Sequence, residues 1–145
     1  MRRIALAVSL TVLTGCAGSY KAAYVTGAVT KQFAEESYEA YSEILNTKID
    51  QCDPENNESV KTKSDFDECL GNGFEKEDHD KIEEGVKIYH AAAKVHTDVL
   101  IAVDATDEER KQATQNLLNS ALEFLELLPN GDKLTAKLRK LTGAR

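Results

Sequence analysis

Three histidines, His79, His90 and His96, are the first side chains to weigh, because imidazole serves both as a metal ligand and as an acid or base near neutral pH. Their spacing argues against both uses. His90 and His96 are six residues apart, about 120° around a helix, and so cannot share an ion. His79 and His90 share a face but would stand about 16 Å apart along the axis. His96 continues an apolar seam and reads as a packed core residue, whereas His79 and His90 read as solvated. Asp65-Phe66-Asp67 ahead of Gly71 offers carboxylates for calcium. Cys69 stands at the fifth position of such a loop, however, with Leu70 where its glycine belongs and Lys76 where its bidentate glutamate belongs, so that reading fails. The chain contains no glycine-rich phosphate loop and no GxSxG, HExxH, CxxC or CxxCH motif. The expectation is a protein with no catalytic residue, no metal and no cofactor.

Two further groups concern contact rather than reaction. Tyr20, Tyr24, Tyr38 and Tyr41 fall on one helix face, and tyrosines there either fill a core or mark a surface that binds. Core is the reading for Tyr38 and Tyr41; Tyr20 and Tyr24 are the exception, since they lie next to the expected lipid and are placed to rest in the headgroup layer. Lys133, Lys137, Arg139, Lys140 and Arg145 occupy the last thirteen residues with no acidic side chain among them. Cations near a helix C-terminus offset its dipole and keep a tail in water. They are also the candidate residues for binding an acidic or polymeric partner.

The compartment is written at the start of the chain. Arg2 and Arg3 precede an apolar run from Ile4 to Leu13, about ten residues, where a spanning helix needs about twenty. That pattern is an export signal rather than a permanent anchor. Leu13-Thr14-Gly15-Cys16 then resembles the lipobox of bacterial lipoproteins. The resemblance covers about sixteen residues and concerns processing alone. It implies that a diacylglyceryl group joins the Cys16 sulfur and that the chain is cut just before it, giving a signal peptide over 1–15 and a lipidated tether over 16–19. Secretion with an unlipidated Cys16 is the rival. Each buried methylene contributes about 0.8 kcal/mol, so two or three acyl chains hold a protein firmly where one does not. Within the same family an aspartate after the cysteine favours inner-membrane retention; Ala17 stands there instead, as in proteins sorted to the outer membrane.

With Cys16 lipidated in an oxidising space, Cys52 and Cys69 remain as a pair 69 − 52 = 17 residues apart, and a structural disulfide is the favoured reading. Closing such a loop is worth about 3 kcal/mol in the chain-entropy model. A metal pair or a reactive thiol finds no support nearby. Loss of the leader removes Arg2 and Arg3, so the net charge moves from −7 to −7 − 2 = −9. Such an acidic body disfavours nucleic acid as a partner.

The remaining residues, 20–145, read as one all-α domain. A first long helix runs from Tyr20 to about Gln51, its seam passing through Tyr20, Tyr24, Gly27, Ala34, Tyr38, Tyr41, Leu45 and Cys52, with Lys31 and Lys48 as interruptions. Gly27 marks either a close approach of another helix or a weak point. A short helix over 64–70 would be capped by Ser64, with Asp67 three residues on. A second long helix spans about Lys76 to Val103, with its seam on Ile82, Val86, Tyr89, Ala93, His96, Leu100 and Val103 and with Gly85 as a tolerated flaw opposite. Thr106 and Glu109 form a capping box that opens a third, whose stripe is Ala113, Leu117, Ala121, Phe124 and Leu128, widened by Leu118, Leu122 and Leu125. A break at Pro129-Asn130-Gly131-Asp132 precedes a short amphipathic helix over 133–141. Short connections make neighbours antiparallel, so the expected architecture is an up-down-up bundle of three long helices plus a short terminal one. In it the basic helix and the Cys52–Cys69 loop would share the end far from the lipid, about 33 Å or more away.

The functional expectation is a non-catalytic envelope lipoprotein, facing the periplasm from the outer membrane, whose distal end meets a partner protein or the cell-wall polymer. Two rivals stay open. Small lipobox proteins of tailed phages and mobile elements act at the host envelope in lysis or in excluding later infection, although the outer-membrane spanins are proline-rich and this chain has two prolines. A periplasmic ligand carrier would need polar groups converging in a cavity, for which the sequence offers only His96 and tyrosine hydroxyls.

Overall fold

Two side chains fix the start of the third long helix. The Thr106 hydroxyl accepts the Glu109 N–H at 3.2 Å, and the Glu109 carboxylate accepts the Thr106 N–H at 2.7 Å, the reciprocal capping the sequence implies. The computed structural model describes residues 18–144; the expected export signal, Cys16, Ala17 and Arg145 lie outside them. Its elements are α1 (Gly18–Cys52), α2 (Lys63–Leu70), α3 (Lys76–Ile101), α4 (Asp107–Leu127) and α5 (Gly131–Thr142). The described fold is all-α, with its five helices packed together.

The cap of α2 departs from expectation. Thr62, not Ser64, is the N-cap, and Asp65 is the returning carboxylate, accepting the Lys61 and Thr62 N–H groups at 3.0 and 2.8 Å. Both pairs have the same spacing of three. In the earlier start the Asp67 carbonyl lies in the last turn and accepts the Gly71 N–H at 3.1 Å, closing the helix.

Helix α4 is the centre of the packing and touches α1, α3 and α5. All eight residues of its expected stripe are buried. Phe124 lies against Tyr89 of α3 at 5.9 Å between ring centres and against Tyr38 of α1, edge-on, at 6.1 Å. Three aromatics from three helices thus meet where each buries a large apolar area and gains ring–ring attraction. Gly85 is not a flaw on an idle face: a Cβ there would come within 2.8 Å of Leu127 Cδ1, so α4 packs across it.

The α1 seam is shifted over its first turns. Ala23, Gly27, Thr30 and Phe33 are buried, while Tyr20 and Tyr24 stay in the open. Small residues at 23, 27 and 30 let α3 come close, and His96 fills the space left by Gly27. The two lysines that interrupt the seam keep their stems on it and send their ammonium groups outward. Lys31 donates to Thr97 Oγ1 at 2.6 Å, and Lys48 donates to the Leu70 carbonyl at 2.7 Å while lying 5.0 Å over the Phe74 ring. On α3 the four-and-three rhythm outruns the helix: α3 stops at Ile101, and Val103 sits fully exposed in the following turn.

Candidate functional site

At one end of the molecule Cys52, the last residue of α1, is joined to Cys69 of α2, as the pairing argument expects. The intervening segment is polar and mostly exposed, with Val60 its single buried hydrophobic side chain. The disulfide and the Lys48–Leu70 hydrogen bond therefore carry much of what holds α2 against α1.

The histidines divide differently from the expectation. His90 is exposed and His96 is buried, both as read, but His79 is half-buried rather than solvated. Its ring stacks on Tyr41, with Nδ1 3.2 Å from the Tyr41 hydroxyl and Nε2 4.0 Å from Glu83. Tyr38 donates to the same Glu83 carboxylate. Burial pushes the Tyr41 hydroxyl up to about 12, with Asp78 and Glu83 nearby adding to the effect, and the hydrogen bond to Glu83 raises Tyr38, so both hydroxyls are neutral at physiological pH. This small network joins α1 to α3. Asp65 is committed to its cap, and among the described residues no group of three or more His, Cys, Asp or Glu side chains is placed to hold a metal ion.

His96 is 1% exposed. Its Nε2 lies 3.3 Å from the Ala23 carbonyl, and since a carbonyl only accepts, Nε2 carries the proton. Nδ1 has no protein partner. Burial lowers the His96 pKa, and the Lys31 ammonium adds to that shift. The unfolded chain, with an ordinary imidazole near 6.5, then binds more protons than the folded one at mildly acidic pH. Stability should be full above about pH 6.5 and fall as the pH drops from there toward the depressed folded value. In urea titrations across this window, His96→Gln should flatten the decline; an unchanged slope would remove His96 as its source.

The basic residues of the C-terminal run do not form one cluster. Lys133, Lys137 and Lys140 are exposed and follow i, i+4, i+7 spacing, within about 60° of one another around α5, whereas Arg139 lies about 120° around the helix from Lys133. Arg145 lies outside the described residues. Leu138 between them is wholly buried, so α5 is an integral layer and not a frayed tail. The placement of this helix at the far end is corrected. It starts there, but Asn130 in the left-handed conformation reverses the chain, and α5 returns along α4 and α1. Lys137 lies over the Phe33 ring at 5.2 Å, and Thr142 to Ala144 share an open groove of 490 Å³ with Ala22, Ala23 and Thr26. Phe33 precedes Cys52 by 52 − 33 = 19 residues, about 28 Å along α1.

At the end opposite the disulfide, Tyr20 and Tyr24 stand with residues that sequence reasoning missed. Arg110 lies 5.5 Å over the Tyr20 ring and donates to the Ala102 carbonyl at 3.3 Å, tying the starts of α1 and α4 to the turn after α3. The Tyr20 and Tyr24 rings stack at 6.5 Å. At the same end, on either side of Ala102, stand Ile101 and Val103, the two most exposed large hydrophobic residues among those described, at 73% and 100%. No helix of the described residues is long and apolar enough to cross a membrane. No family model, curated protein or solved structure matches this chain.

Proposed function

We propose that this chain is an exported lipoprotein, cut before Cys16 and held on the periplasmic face of the outer membrane by acyl chains, with a folded body that binds an envelope partner and catalyses nothing. The observation that carries this reading is Leu13-Thr14-Gly15-Cys16, behind a short apolar run and 18 − 16 = 2 residues ahead of the first helix. A positive start, a short apolar run and small residues just before the cut are the pattern that export processing reads. The disulfide-bonded Cys52 and Cys69 fit an oxidising compartment.

The body itself reads as an up-down-up bundle of α1, α3 and α4. Contacts between α1 and α3 pair Ala23 with His96 and Tyr38 with Glu83, in opposite chain order, while those between α1 and α4 pair Tyr20 with Arg110 and Tyr38 with Phe124, in the same order. In this arrangement the Lys133, Lys137 and Lys140 stripe runs along the flank, where an acidic protein face or the cell-wall polymer would meet it.

Crosslinking in intact envelopes, followed by fractionation, tests both halves. Cys16→Ser should leave the membrane fraction for the soluble one, and continued retention would argue against lipidation. The triple variant Lys133→Glu, Lys137→Glu, Lys140→Glu should stay in the membrane and lose its crosslinked partner. Charge reversal is the right change because deleting α5 would also remove Leu138 from the core. Equal recovery of the partner would discard the basic stripe.

A further inference from the structure

We propose that the end of the bundle formed by Tyr20, Tyr24, Ile101 and Val103 is a membrane-contact surface, on which the body stands with Ile101 and Val103 dipped into the headgroup–acyl boundary of a zwitterionic leaflet. This rests on the lipoprotein reading and deepens it, since acyl chains alone would leave the body free to swing.

Three observations support it. First, the described chain begins at Gly18, so Cys16 lies within about 7 Å of this end even with two residues fully extended. Any bilayer reached by lipid on that sulfur is therefore beside Tyr20 and not beside the disulfide. Second, the side chains here are of the types that sit well at such a boundary. Two tyrosines, 49% and 57% exposed, have an apolar ring and a polar tip, and a turn carries two bare aliphatic side chains. The Arg110 contacts to Tyr20 and Ala102 hold the two parts at one level. Third, the charge chooses the lipid. This end carries Lys21, Arg110 and Lys111 with Asp104, Asp107, Glu108 and Glu109, three cations with four anions, Arg110 and Lys111 being paired with Asp107 and Glu108 along α4, so it lacks the basic excess that draws a body to anionic headgroups. Contact is apolar and shallow, with Asp104 next to Val103 limiting its depth.

The chain has no tryptophan, so a single one reports its own surroundings. Val103→Trp and Ile44→Trp, each made in the full-length exported protein and purified with its lipid, would be reconstituted in phosphatidylcholine vesicles whose acyl chains carry bromine, a contact quencher. Ile44 is half-exposed on α1 and 44 − 20 = 24 residues beyond Tyr20, about 36 Å up the bundle. Both variants should float with the vesicles. Emission from Val103→Trp should fall about two-fold or more relative to unbrominated vesicles, as expected for a side chain 5 to 10 Å into the interface, while Ile44→Trp should be unaffected. The same Val103→Trp quenching at raised salt supports apolar contact; its loss overturns it. Floating protein with no quenching at Val103 overturns the contact surface and leaves the lipoprotein reading standing, as would a second copy or a protein partner covering this end. Equal quenching at both sites means the bundle lies flat and overturns the end-on contact. Protein that fails to float overturns both readings.

Discussion

Gly27→Ala is expected to lower the free energy of unfolding by about 2 kcal/mol, the opposite of what the same change does in an ordinary helix. Replacing an interior glycine with alanine normally adds about 1 kcal/mol through helix propensity. Here the new Cβ would stand 2.1 Å from His96 Cε1 and 2.5 Å from Nε2. The ring is buried between α1 and α3, so the helices must separate or the imidazole must leave its rotamer. Overpacking of this kind costs about 1 to 3 kcal/mol, and displacing Nε2 from the Ala23 carbonyl forfeits about 1 more. The clash therefore outweighs the propensity gain. A double-mutant cycle separates the two effects. In a His96→Ala background the space is open, and Gly27→Ala should become stabilising, by up to about 1 kcal/mol. Urea denaturation of the four proteins reads the coupling directly. If Gly27→Ala stabilises the parent as well, α1 and α3 are not this close at residue 27.

That pair also shows where the sequence was legible and where it was not. Helix α4 could be read almost residue by residue, because its cap is local chemistry and its apolar stripe is wide and made of large side chains. The seam of α1 was misplaced at its start because Tyr20 and Tyr24, as large rings at seam spacing, outweighed the small Ala23 and Thr30; Gly27 alone of its first three positions is buried. Which of these faces inward depends on how close α3 comes, and that is a property of the pair of helices. The same limit hid the exposure of Val103: its spacing continues the α3 rhythm, but a turn begins at Ala102, where periodicity no longer says where a side chain points. For α2, two cap pairs of identical spacing compete, and local pattern cannot choose between them. The basic residues of α5 were visible by type, yet their position was not, since it turns on one reversal at Asn130. The Tyr41–His79 contact spans 79 − 41 = 38 residues and leaves no local trace.

Replacing both Cys52 and Cys69 with alanine is expected to lower stability by about 3 kcal/mol, with the loss unevenly distributed. The global part comes from the unfolded chain, which gains the freedom of a loop closed across 17 residues, so the urea dependence of unfolding should steepen as that chain expands. The local part follows from what else holds the segment. Val60 and Leu70 are its buried apolar anchors, and α2 packs mainly on α1, whereas α4 is gripped by three helices. Without the covalent link, α2 can open while the rest stays folded. Hydrogen exchange should therefore show amides of 63–70 losing nearly all protection in the double variant, and amides around Leu117 to Leu125 losing only what the global change requires. Helix α2 keeping its protection without the disulfide would mean that the Lys48–Leu70 hydrogen bond and two apolar side chains suffice to dock it. The bond between Cys52 and Cys69 would then act on the unfolded chain alone.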